Sequence, residues 1–160
     1  MKLFYCCYGG AHTSVTCASI HLHYLPENRI PEFAEFRSVP FYDKMDHCKL
    51  GTPVYVGTDE MGWDIYIIGM KHAKQLVIPA VKSYLNACGV DQTDFLLANA
   101  LVELHPVTSV GGVLTRRLGI VSIGRPMTVW GIRRSYRRLV RLVRRVKKNL
   151  KARQEISDFS

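Results

Sequence analysis

Residues 2–7 (KLFYCC) form a short apolar run that breaks at Gly9-Gly10, the pattern of a buried strand closed by a turn. Thr13 and Ser14 are residue types that cap helices. Val15, Ala18, Leu22 and Leu25 then recur at helical spacing until Pro26 stops the run. Residues 26–50 hold three prolines among mixed polar residues and predict a long irregular connection. Two alternating runs within 53–69 flank Asp59-Glu60-Met61-Gly62 and predict a β-hairpin. Residues 72–88 predict a helix with Leu76, Val77, Ala80, Val81 and Tyr84 on one face. Pro79 kinks it or marks its first turn, and Gly89 is the expected stop. DFLLANALVEL (94–104) is a second buried-strand candidate, part of which could be helix. VTSVGGVLTRRLG (107–119) reads as a short helix, and IVSIGRPMTVWGI (120–132) as the last strand. Beyond it Ile132, Tyr136, Leu139, Val143, Val146 and Leu150 recur every three or four residues, one apolar stripe over several helical turns.

Strands that alternate with helices predict an α/β fold. The expected architecture is a single three-layer domain with a partly parallel sheet, the hairpin at an antiparallel edge, and a long basic C-terminal helix. Residues 1–131 form the α/β domain. Residues 132–153 form the helix, whose first half docks on the body while its last turns extend beyond. Residues 154–160 are an expected disordered tail.

The chain has 160 residues, 48% of them hydrophobic, enough for one domain with a core. It contains no run of 18 apolar residues, so no transmembrane helix is expected. The first apolar run is too short and polar for a signal peptide, which predicts a cytoplasmic location. The five cysteines are irregularly spaced, as reduced thiols would be, and the lack of any Cys-x-x-Cys pair argues against a structural zinc site. Charge is unevenly placed. Residues 1–131 hold 11 basic and 11 acidic side chains, whereas 132–160 hold 11 basic ones against Glu155 and Asp158, so the whole excess of +9 lies in the tail.

Chemistry points first to the stretch CCYGGAHTS, residues 6–14. A helix N-terminus leaves backbone N–H groups unpaired, and glycines let them close on an anion. Gly9, Gly10, His12, Thr13 and Ser14 are therefore the candidate phosphate-binding residues. Two phosphate-loop patterns nearly fit. In the nucleotide-binding pattern G-x-x-x-x-G-K-[ST], His12 falls on the lysine and Thr13 on the hydroxyl residue, but Cys6 and Ala11 replace both glycines. The loop also resembles that of low-molecular-weight tyrosine phosphatases and arsenate reductases, in which Cys, five residues, Arg and Ser/Thr follow one another; Cys6, His12 and Thr13 fit that spacing. His again replaces the cation, and the Asp-Pro pair those enzymes use is missing. An imidazole offers one hydrogen bond where Lys or Arg offers a fixed charge.

YCCYGGAHTSV, GTDEMGWDIYIIG and RRLGIVSIGRPMTVWGI, in this order, resemble a small bacterial family associated with spore-forming bacteria and known by a domain-of-unknown-function label. The resemblance covers most of the chain. It implies an α/β cytoplasmic protein with His in the loop, and it implies no reaction.

Arg116, Arg117 and Arg125 could supply the charge His12 lacks, as Arg forks onto phosphate. Asp59, in the hairpin, and Cys6 are the candidate catalytic residues. No His-Glu-x-x-His or similar spacing supports a metal site, and Mg would enter only with a nucleotide under the P-loop analogy. In the tail, Arg137, Arg138, Arg141, Arg144 and Arg145 could meet an anionic membrane surface, a nucleic acid or an acidic protein, which would make the protein peripheral at the membrane. The expected function is thus binding of a phosphate-bearing small molecule, such as a nucleotide, at the Gly9–Ser14 loop. The alternative is a non-enzymatic interaction protein acting through its basic helix.

Overall fold

The computed structural model describes residues 1–42, 44, 51–71, 73–103 and 121–157. Four strands form one sheet: β1 (Lys2–Cys7), β2 (Val54–Thr58), β3 (Asp64–Gly69) and β4 (Phe95–Asn99). Their order is β2-β3-β1-β4. β1 runs parallel to both neighbours, and β2 closes the hairpin antiparallel to β3, with a register irregularity between Tyr55 and Gly57. The sheet is thus partly parallel, as expected. β1 is central, which explains its nearly continuous apolar sequence. Leu3, Tyr5 and Cys7 face one core, whereas Phe4 and Cys6 face the other.

Helices cover both faces. α1 (Thr13–His21) lies on the first, packed between β1, β3 and the C-terminal helix α4 (Val121–Ser157), and each of its residues is buried. α3 (Lys74–Ala87) covers the second through Val77, Ile78, Val81 and Leu85. The buried face of α3 is rotated from the expected one, since Leu76 and Tyr84 are exposed. Pro79 is interior to this helix.

Several expectations need correction. The connection after α1 includes a short helix, α2 (Phe33–Ser38), started by a reciprocal capping box between Glu32 and Glu35. Residues 120–132 do not supply a strand: α4 begins at Val121 and takes in Pro126. Its β-branched residues suggested a strand, but buried Val129 extends the apolar stripe backward from Ile132 by one turn, and burial of that stripe overrides local propensity. Arg125 therefore sits in a helix and not in a turn. The last turns do not project. Leu150 is fully buried, and Arg153 donates to the carbonyls of Gln92 and Phe95 at 3.2 and 3.3 Å. Residues 154–157 of the expected disordered tail are helical. β4 gives way to a 3-10 turn at Ala100–Glu103, so of the strand expected at 94–104 the stretch 95–103 is part strand and part helical turn. The helix expected at 107–119 lies outside the described residues.

Candidate functional site

β1 and β3 are parallel neighbours whose following helices lie on opposite faces of the sheet. In open α/β sheets ligands are held at the carboxyl ends of the strands where such a reversal occurs. Residues 8–12 fill this position. The loop is pinned to the chain leaving β3, as Met70 N–H donates to the Cys7 carbonyl at 2.9 Å and Lys71 N–H to the Tyr8 carbonyl at 2.8 Å. Gly10 has φ +68°, and a Cβ there would lie 3.0 Å from the Gly69 nitrogen. Only glycine meets both demands without strain.

The sulfur within the loop is Cys7, not Cys6. Gly10 N–H donates to Cys7 Sγ at 3.0 Å, and Ser14 Oγ lies 3.1 Å from the same sulfur. Cys6 points to the other face, with its thiol 3.5 Å from the Phe4 carbonyl. On Cys7 the phosphatase-like spacing moves by one residue: Thr13 takes the arginine position and Ser14 the hydroxyl position. The sequence signal for this was strand alternation, which puts adjacent cysteines on opposite faces. Thr13 and Ser14 are buried in the first turn of α1, and His12 is its N-cap residue through backbone alone. The His12 carbonyl accepts both Thr16 N–H and the Thr16 hydroxyl at 2.8 Å, and its ring stands edge-on to Tyr42 at 5.5 Å. Gly9, Gly10, His12, Thr13 and Ser14 thus share the turn from β1 into the first turn of α1. Lys71, an exposed residue with φ +47°, is tied to this turn by its backbone N–H. Nothing in its spacing marked it; parallel pairing of β1 with β3 puts its backbone beside Tyr8.

Asp59 belongs to a different place. It lies at the far end of α1 from the loop, where its Oδ2 meets His21 Nε2 at 2.9 Å. Its Oδ1 accepts the Met61 and Trp63 N–H groups at 2.9 and 2.8 Å, which closes the hairpin tip. The Tyr5 hydroxyl lies 2.9 Å from His21 Nδ1. A carboxylate only accepts, so His21 donates through Nε2 and accepts a hydrogen bond from the Tyr5 hydroxyl at Nδ1. Burial pushes the His21 pKa down, against the pull of Asp59, and pushes the Tyr5 pKa well up. The result is a buried Tyr–His–Asp chain that ties β1, α1 and the hairpin together.

Arg116 and Arg117 lie outside the described residues. Arg137, Arg141, Arg144 and Arg145 are exposed on α4. Arg144 pairs with Glu27 at 3.0 Å, and the half-buried Arg138 reaches the Ser135 hydroxyl at 3.4 Å. Among the described residues no group of three His, Cys, Asp or Glu could hold a metal ion, and no helix is long and apolar enough to cross a membrane.

No curated protein and no solved structure matches the chain. A family match does, over residues 2–148, from β1 into α4, so the chain belongs to the family described as "Protein of unknown function (DUF3189)".

Proposed function

We propose that the Gly9–Ser14 loop binds a phosphate-bearing small molecule. The observation that carries this reading is the glycine turn at the carboxyl ends of β1 and β3, with Gly10 left-handed and the first turn of α1 directly behind it. Backbone N–H groups at such a turn favour an oxyanion. Ser14 and Thr13 add hydroxyls, His12 a ring nitrogen, and Lys71 the positive charge that the loop itself lacks. A nucleotide is one ligand of this kind, and Mg2+ would then accompany it through the phosphates.

The test is thermal shift with inorganic phosphate, sulfate, arsenate and nucleotides, with and without Mg2+. A ligand at 100 times its Kd stabilises by about 2.7 kcal/mol. The expected result is a shift that weakens in Lys71→Gln and Ser14→Ala and strengthens in His12→Lys. Equal shifts in all four proteins would refute the reading.

A second reading rests on the outer face of α4. Arg137, Arg141, Arg144, Arg145 and Lys148 are exposed there, in the segment that carries the net charge. That face suits an anionic membrane surface, nucleic acid or acidic protein, in a cytoplasmic protein that is peripheral at the membrane. Such binding fades with salt.

A further inference from the structure

A cleft of about 440 Å3 lies between the connection that follows α1 and the middle of α4. Asn28 and Ile30 form one wall. Tyr136, Arg137, Val140 and Arg141 form the other. The volume is in the range of small-ligand sites. The wall is fixed from behind, because the Tyr136 hydroxyl donates to the Pro26 carbonyl at 2.6 Å and the Tyr136 ring packs edge-on against Phe36.

Four arginines line the cleft, but two are already matched. Arg29 forks onto Glu35 at 2.7 and 2.8 Å, and Arg144 pairs with Glu27. Arg137 and Arg141 are exposed and have no ion-pair partner among the described residues. They stand one helical turn apart, so their stems start about 6 Å from each other. Two guanidinium forks at that separation suit one dianion better than two separate monoanions. Ile30 and Val140 add apolar carbons to the lining. Inorganic phosphate would leave those carbons wet, whereas a ligand with a carbon body would cover them.

We propose that this cleft is an organic-anion site distinct from the Gly9–Ser14 loop, and that it takes a phosphate monoester. The phosphate sits on Arg137 and Arg141, and the carbon body lies over Ile30 and Val140. Asn28 supplies a further hydrogen-bond donor at the rim. The proposal does not depend on the loop being a ligand site. It also narrows the role of the basic helix: two of its arginines serve a recessed small-molecule site, while Arg145 and Lys148, outside the cleft, do not.

The experiment is calorimetric titration of the full chain with phenyl phosphate, inorganic phosphate and phosphatidylserine vesicles. Arg137→Gln/Arg141→Gln is compared with Arg145→Gln/Lys148→Gln, which removes the same charge from exposed positions outside the cleft. Circular dichroism and thermal melting verify that both variants fold. Phenyl phosphate should bind at least 10-fold tighter than inorganic phosphate. Its affinity should fall 10-fold or more in the first variant and stay within twofold in the second. The Ser14→Ala loop variant should bind phenyl phosphate at the cleft as the parent does. Equal losses in both double variants would reduce the effect to general charge. Loss in Ser14→Ala alone would assign the binding to the loop. Vesicle binding without phenyl phosphate binding would assign the arginines to a lipid surface. Each of these three outcomes, like absence of any phenyl phosphate binding at millimolar concentration, overturns the proposal.

Discussion

Replacing Gly10 by Ala probes the loop most directly. The backbone there has φ +68°, which costs an L-residue about 1–2 kcal/mol. The new Cβ would also lie 3.0 Å from the Gly69 nitrogen and 3.3 Å from its Cα. Those are backbone atoms of the neighbouring strand, so β1 and β3 must part. Overpacking of this kind costs about 1–3 kcal/mol. Together the two terms predict a loss of about 2–5 kcal/mol. Gly62 and Gly89 provide the control: their φ values are +80° and +75°, and nothing lies within 4 Å of a Cβ at either. Gly62→Ala and Gly89→Ala should therefore lose only the conformational term, about 1–2 kcal/mol. The assay is urea unfolding of the three variants beside the parent, followed by fluorescence of buried Trp63. Equal losses at Gly10 and Gly62 would refute the close approach of the loop to β3. A Cβ on Gly10 points at the sheet, so Gly10→Val tests the fold before it tests any ligand.

Three further outcomes follow from the buried groups. His21 has a folded pKa below its ordinary 6.5, so below that value the unfolded chain takes up a proton that the folded chain refuses; its contribution is complete above pH 6.5 and is lost as pH falls toward the folded pKa, and His21→Gln should flatten that part of a stability-versus-pH curve measured by urea unfolding. Removal of the Asp59 carboxylate in Asp59→Ala strands the Met61 and Trp63 N–H groups and His21 Nε2–H, which predicts a loss of about 3 kcal/mol, at roughly 1 kcal/mol per stranded group. Leu150→Ala should cost about 2–5 kcal/mol in thermal or urea unfolding if the last turns of α4 are docked, and close to nothing if they project.

The amphipathic stripe from Ile132 to Leu150 was legible because its six positions obey one helical period, and all six are buried. The central strand was legible in the same way, as was the hairpin, where period two and a turn sequence coincide. The start of α4 was not, since Val121–Ile132 is rich in β-branched residues with two Gly and a Pro, and only burial of Val129 and Ile132 in the core shared with α1 decides it for helix. The same limit applies to the site. Adjacent glycines, a histidine and two hydroxyls announced the loop, because a turn and a helix start are local events. Which cysteine enters it depends on which face of β1 meets α1, so Cys7 and not Cys6 holds Gly10 and Ser14. Lys71 reaches the loop only through a parallel pairing across more than sixty residues, and Asp59 leaves it because α1 separates the two ends of the sheet. Periodicity and turn chemistry are written residue by residue along the chain; the partners of a side chain are set by strand order and by which face each crossover takes, and those exist only once the sheet has formed.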